Sequence, residues 1–223
     1  MEKSFSDCSL TELDKLFGLR RVRPLLALNE WLDMTSFIEL SDYEMTACSN
    51  LRHLLDLNAN FWLEQDLSLH FIGPMFSLAN FTEPYRYNLF AQRFIQATLT
   101  TLKGDSITLM GKPDEILASG YGEPETPYFA FNVRNAARFK KEVEFKGDPA
   151  GQALSAMLVG LHLNPIPEPI YGCYVLGRDW YFMALNETSY GISRGFDGTT
   201  DDVFEIFRLL KALKAIVIER TKN

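Results

Sequence analysis

The chain has 223 residues, of which 47% are hydrophobic and 23% charged, the composition of an ordinary globular protein. A chain of this length is most simply one domain with a sizeable core. The net charge of −7 argues against a broad electrostatic grip on nucleic acid. It does not exclude a nuclease, because bound divalent cations reverse the local sign of the charge.

The sequence gives no sign of a membrane segment or a disulfide framework. No stretch approaches the roughly 18 consecutive apolar residues of a membrane helix. The start of the chain, "MEKSFSDCSL", lacks the basic residues and the apolar run of a signal peptide. Cys8, Cys48 and Cys173 are odd in number and far apart, which favours buried thiols. We therefore expect a cytoplasmic protein with no membrane partner.

The first eighty residues are predicted to be helical. Ser9 and Ser41 each precede a run of apolar residues at helical spacing, and Glu12 and Glu44 follow three residues later as in a capping box. A further helical run ends at Gly73-Pro74, where a helix must stop or kink.

The period then changes from helical to alternating. Residues 89–133 are rich in aromatic and β-branched residues and predict three consecutive antiparallel strands. The turn signal "KGD" at 103–105 predicts a hairpin between the first two. Asp148 and Pro149 open a helix predicted over 148–163, which should cross to a strand at 169–176 parallel to one of the three.

This order predicts an α+β fold in which a mixed sheet is flanked by helices. The whole chain, 1–223, is taken as one domain. Its parts are a helical N-terminal extension at 1–58, a core at 59–185 and a terminal strand and helix at 186–223.

The order of elements, together with four sequence segments, resembles the core of the PD-(D/E)XK nuclease superfamily over roughly residues 60 to 185. The resemblance is closest to the small nuclease domains of type I restriction motor subunits and related stand-alone bacterial proteins. It implies a restriction-endonuclease-like mixed sheet. The four segments, which look like the first core helix, the Asp strand, the Glu-x-Lys strand and the helix after it, are "FWLEQDLSLHFIGPMFSL", "GKPDEILAS", "PYFAFNVRN" and "DPAGQALSAML".

The resemblance assigns Asp114 as a metal ligand and places the Glu-x-Lys slots on the next strand. In the superfamily an Asp and a Glu on adjacent strands hold Mg²⁺, which polarises a phosphate and activates water, and a Lys offsets the developing charge. Side chains of a strand alternate, so the two slots share one face. Here they are Asn132 and Arg134, with Phe129 and Phe131 on the opposite face. A register slipped by one residue would place Val133 and Asn135 there instead.

An alternative set of catalytic residues lies a little further along the chain. Glu144-Phe145-Lys146 is formally a Glu-x-Lys, and some superfamily members recruit a carboxylate from a neighbouring element. A solvated charged loop is the other interpretation of the same residues.

The resemblance suggests three further roles. Glu64 would be an outer metal ligand, and otherwise an ordinary exposed helix residue. Gln152 would contact substrate or a carboxylate, and otherwise is a polar residue of a first helical turn. Glu115 is out of phase with Asp114 and should point away from it.

Three functions therefore remain open. The first is a nuclease-fold protein with an impaired Mg²⁺ site, which binds a partner, or DNA weakly, without cutting. The second is a working Mg²⁺-dependent endonuclease that uses Asp114 with Glu144 and Lys146, together with Arg134. The third is a structural or regulatory α+β domain.

Overall fold

The computed structural model describes residues 1–134 and 148–222. In this part of the chain the fold is mixed α+β, with an eight-stranded mixed sheet and a separate three-stranded sheet. The helices are α1 Leu10–Phe17, α2 Leu26–Asp33, α3 Asp42–Asn58, α4 Glu64–Leu67, α5 Gly73–Ala79, α6 Pro149–Leu163 and α7 Asp202–Arg220. The strands are β1 Glu2–Ser4, β2 Arg20–Arg21, β3 Asn88–Ala91, β4 Ile95–Thr100, β5 Ser106–Gly111, β6 Glu115–Ala118, β7 Pro127–Arg134, β8 Ile170–Leu176, β9 Asp179–Asn186, β10 Ser189–Ile192 and β11 Phe196–Asp197.

The N-terminal helices begin where their caps predict. The Ser9 hydroxyl accepts a hydrogen bond from the Glu12 amide, and Ser41 and Glu44 form a complete capping box. A π-helical turn at Ser68–Ile72 joins α4 to α5. The region is not purely helical, however, because β1 pairs with β5 and β2 pairs with β10. Those two short strands integrate the N-terminal residues into both sheets.

The prediction of three strands over residues 89–133 is wrong, because the structure has five strands in and around this range. Gln92 adopts a left-handed conformation with φ of 53° and separates β3 from β4. Pro113, which has no amide hydrogen, lies between β5 and β6. The predicted hairpin turn is confirmed: β4 and β5 pair antiparallel around Gly104 at φ of 86°. This hairpin leaves the main sheet and joins β1 in the smaller one.

The larger sheet has the strand order β2-β10-β9-β8-β7-β6-β3, and β11 pairs with β9 outside this path. Strands β3, β6 and β7 are consecutive antiparallel neighbours. Helix α6 then crosses to β8, which pairs parallel with β7. The predicted crossover from the helix to a parallel strand is therefore confirmed.

The two faces of this sheet have different cores. One, which we call the aromatic face, packs against α2, α3, α5 and α7 and contains Phe129, Phe131, Trp180 and Phe182. The other, the α6 face, packs against α6, α1 and the three-stranded sheet, and its strand residues include Ile116, Ala130, Met183 and Leu185.

Among the residues that the structure describes, no helix is both long and apolar enough to cross a membrane. The described cysteines, Cys8, Cys48 and Cys173, are all free and buried, as expected.

Candidate functional site

Asp114 lies just before β6 and is held by the neighbouring strands. Its amide donates to the carbonyl of Phe131 at 3.0 Å, and its Oδ2 accepts from the Val133 amide at 2.8 Å. Oδ1 accepts from Nε2 of Gln92 at 2.6 Å, and the Gln92 amide donates to the Asp114 carbonyl at 2.9 Å. Both carboxylate oxygens of Asp114 thus serve as acceptors inside the protein, which gives this residue a structural role at the β6–β7 junction.

Asn132 occupies the slot on β7 where the resemblance expects a carboxylate. In the antiparallel pairing of β6 with β7, Glu115 lies opposite Phe131. Asp114, one residue before Glu115, therefore lies alongside the Phe131–Val133 segment. Phe129, Phe131 and Val133 belong to the aromatic core, so alternation turns Asn132 to the α6 face. The prediction that Asn132 lies on the face opposite Phe129 and Phe131 is therefore confirmed, and the slipped register, with Val133 on that face, is wrong. The side chain of Arg134 and residue Asn135 lie outside the part of the chain that the structure describes.

The side-chain amide of Asn132 is buried. Its side chain is only 1% exposed, and neither Oδ1 nor Nδ2 has a hydrogen-bond partner among the described residues. Its neighbour on β8 is Tyr174, whose ring stacks on Tyr181 at a centroid distance of 4.8 Å. A buried amide without a partner costs about 1–3 kcal/mol, so packing alone does not account for an Asn at this position.

Helix α6 brings Gln152 to the same face. Asp148 caps the helix through the Ala150 amide at 3.1 Å, and its other oxygen accepts from the Leu10 amide at 2.9 Å, which joins α6 to α1. Gln152 is in the first turn and only 7% exposed. It is therefore a buried polar residue of the first helical turn, and its contact with a substrate or a carboxylate stays a prediction.

Glu115 faces away from Asp114, as expected. It lies opposite Phe131 and lines an open cleft of about 460 Å³ with Phe76, Asn80 and Phe81. The side chain as a whole is half-buried, but Oε2 is inaccessible and has no hydrogen-bond partner among the described residues. Burial, with a smaller contribution from the Asp114 charge, raises the pKa of Glu115 to about 8.

The remaining predicted site residues are placed only in part. Glu64 is half-buried at the start of α4, one turn before Leu67 enters the aromatic core. Arg134 is the last residue of β7, where its backbone pairs with Leu176, and its side chain is not described. Glu144 and Lys146 lie outside the described residues. Gln92, which sequence reasoning missed, is 22 residues before Asp114, and only the strand pairing brings the two together.

The described donors do not fit Mg²⁺. Such an ion prefers several oxygen ligands and gives up its water reluctantly, so a site needs more than one carboxylate. No group of three or more His, Cys, Asp or Glu side chains within residues 1–134 and 148–222 is arranged to hold a metal. At the junction itself, Asp114 contributes a carboxylate already engaged in two hydrogen bonds, and Asn132 contributes a neutral amide.

Comparison with protein-family models and with curated proteins finds no match to this chain.

Proposed function

We propose that this chain is a nuclease-fold protein with an incomplete metal site, which binds nucleic acid weakly, or a partner, without cleaving it. The order α5, β3, β6, β7, α6, β8 supports the proposal, because two antiparallel pairings followed by a helical crossover to a parallel strand are what the resemblance implies. The inserted β4–β5 hairpin lies in another sheet and leaves this order intact.

The observation that carries the proposal is the buried amide of Asn132 beside Asp114, which has no hydrogen-bond partner within residues 1–134 and 148–222. An Asp or a Glu in that slot would give two carboxylates converging from adjacent strands. Asn132 has nearly the same shape as an Asp but no negative charge, so the site keeps a polar group and lacks the second carboxylate. Arg134, two residues further along β7, supplies a positive charge for a phosphate.

The direct test is cleavage and binding in parallel. We expect no cleavage of plasmid or single-stranded DNA with Mg²⁺ or Mn²⁺. We expect weak binding of single-stranded DNA that falls steeply with salt and is lost in Arg134→Ala. Cleavage that disappears in both Asp114→Ala and Glu144→Ala would contradict the proposal and support the endonuclease that uses Glu144 and Lys146. Absence of both cleavage and binding would leave a structural or regulatory domain.

A second test restores the missing charge. Asn132→Asp keeps the size of the side chain and adds a buried carboxylate, which is costly unless a cation neutralises it. We expect the melting temperature of Asn132→Asp to fall in EDTA and to recover with Mn²⁺. The parent protein and the size-matched Asn132→Leu should not respond to Mn²⁺. Adding Asp114→Ala to Asn132→Asp should abolish the recovery. An Asn132→Asp variant insensitive to Mn²⁺ would contradict a metal-site geometry at this junction.

A further inference from the structure

The exposed strand β2 carries a concentration of unneutralised positive charge. Arg20, Arg21 and Arg23 fall within four residues, and all three are exposed. None of them forms an ion pair with a described residue. By contrast, every other arginine whose side chain is described pairs with a carboxylate; these are Arg52, Arg86, Arg93, Arg178, Arg194, Arg208 and Arg220. In a protein of net charge −7, leaving these three unpaired marks the strand as an anion-binding surface.

Strand β2 is also an open edge of the eight-stranded sheet. It is the terminal strand, paired only with β10 in the described part of the chain. The amides of Arg20 and Val22 donate to the carbonyls of Thr188 and Tyr190 at 2.8 and 2.9 Å. Because peptide groups alternate along a strand, the backbone groups of Arg21 face outward, where another extended chain can pair with them.

A cleft of about 350 Å³ opens beside this strand. Arg23 lies in its lining, which is aliphatic at Leu25, Leu28, Leu32, Ile192 and Leu209 and polar at Asn29, Thr35, Ser193, Arg194 and Glu205. The one aromatic ring in the lining, Phe196, is covered by the Arg194 guanidinium at 3.9 Å from the ring centroid. The cleft can therefore accept an apolar side chain, but its described residues offer no free aromatic surface on which a nucleobase could stack.

We infer that the β2 edge is a docking site for an extended acidic segment of a protein partner. The segment adds to the sheet as a further strand, its carboxylates pair with Arg20, Arg21 and Arg23, and one apolar side chain enters the adjacent cleft. Backbone pairing supplies general affinity, while the arginines and the cleft supply selectivity. Nucleic acid would use the arginines alone and would leave the backbone edge and the aliphatic cleft unused.

The test uses fluorescence anisotropy with two short labelled peptides and one oligonucleotide. The first peptide has Glu at every position except a central Leu, so that both of its faces carry carboxylates, the second has Ser in place of that Leu, and the oligonucleotide is oligo-dT. We expect the Leu peptide to bind the full chain with a Kd that rises with salt, and the Ser peptide to bind about tenfold more weakly.

Matched charge variants assign the binding to β2. Replacing Arg20, Arg21 and Arg23 together by Gln should weaken the Leu peptide at least about tenfold. Replacing the exposed Lys15, Lys103 and Lys112 by Gln removes the same charge elsewhere and should change the Kd less than about twofold. Circular dichroism of both triple variants checks that they fold.

Amide hydrogen exchange distinguishes strand addition from contact through side chains alone. The Arg21 amide should be protected when the Leu peptide is bound, because it then donates to the added strand. Equal weakening by both triple variants, an unprotected Arg21 amide, no peptide binding, or arginine-dependent binding of oligo-dT without binding of the peptide would each overturn the inference. None of these outcomes depends on Asp114 or Asn132, so the proposed function stands or falls separately.

Discussion

The two faces of the eight-stranded sheet bury their residues in different ways. The aromatic face is filled by large rings: Phe131 has neighbours at 5.0 Å (Phe76) and 5.5 Å (Trp180), and the Trp31 indole donates to the Leu209 carbonyl at 2.9 Å. The α6 face is mainly aliphatic, with glycine where the chain approaches closely at Gly151 and Gly172, and among these residues it buries the amide of Asn132. The aromatic face is accounted for by packing, whereas the α6 face contains a polar group that packing does not require.

The aromatic face also has polar atoms without partners among the described residues, Trp180 Nε1 and Glu115 Oε2. The indole nitrogen belongs to a ring that fills the core between Phe71, Phe76 and Phe131, so its position follows from packing. Glu115 lies at the rim of that face, in an open cleft. Asn132 differs because it brings no large apolar surface and lies next to Asp114 between the sheet and its helix.

The largest effect should come from removing a ring on the aromatic face. Phe131→Ala deletes a fully buried side chain in contact with three other aromatic rings, and we expect a loss of about 3–5 kcal/mol in the free energy of unfolding. Urea denaturation measures it. Tyr43→Ala removes a ring that is 75% exposed and should cost less than about 0.5 kcal/mol. A loss below about 1 kcal/mol for Phe131→Ala would show that this core is not tightly packed.

Close approach on the α6 face should give the next largest effect. A Cβ on Gly151 would lie 2.6 Å from the Cys8 carbonyl oxygen, which is backbone and cannot swing away, so Gly151→Ala should cost about 3 kcal/mol. Gly160→Ala is the control in the same helix. Its nearest neighbour would be the Pro127 Cβ at 3.3 Å, and the gain in helix propensity offsets that contact. Thermal unfolding of both variants measures the difference; equal stabilities would contradict the close packing of α6.

Glu115 should make stability depend on pH, with an effect of about 2 kcal/mol. Its pKa in the folded protein is about 8, against an ordinary value of 4.5, so the folded state holds a proton that the unfolded chain has lost between these values. Unfolding releases that proton, and the free energy of unfolding therefore falls as pH rises from about 4.5 to 8. A pKa shift of this size in a fully buried group would change the free energy of unfolding by more than about 2 kcal/mol. The Glu115 side chain is half-buried, and contact with solvent reduces the effect.

Glu115→Gln tests this pH dependence. The variant has no proton to release, so its free energy of unfolding should vary less over the same pH range, and it should exceed that of the parent at pH 8. Urea denaturation at several pH values measures both curves. Parallel curves would mean that the carboxyl is fully hydrated in solution and that its pKa is not raised by folding.

The sequence was informative wherever the signal was local. The capping box of Ser41 and Glu44, the helix start at Asp148 and Pro149, and the alternation of Phe129, Phe131 and Val133 each depend on residues within a few positions of one another. These signals sufficed for the helix starts, for the crossover to β8 and for the face on which Asn132 lies.

Features that depend on distant pairing were not accessible in this way. An alternating run such as β4 has the same pattern in either sheet, so the sequence did not reveal that the β4–β5 hairpin leaves the main sheet for β1. The contact between Gln92 and Asp114 requires a left-handed residue and a strand pairing across 22 positions. Alternation predicted the face on which Asn132 lies. It did not predict that the amide has no partner among the described residues, because that depends on which side chains α6 places opposite it.

The smallest expected effect is the most informative about function. Asn132→Leu replaces a buried amide, which has no partner in the described part of the chain, by an apolar side chain of similar size. The change should raise the free energy of unfolding by about 1 kcal/mol. Ser155→Ala is the control on the same face: the Ser155 hydroxyl donates to the Gln152 carbonyl at 2.8 Å, so its removal should lower stability by about 1 kcal/mol. When replacing a residue makes the fold more stable, the fold does not require that residue, which points to a role in function. If Asn132→Leu is destabilising like Ser155→Ala, the amide is satisfied in solution and its polarity serves the fold.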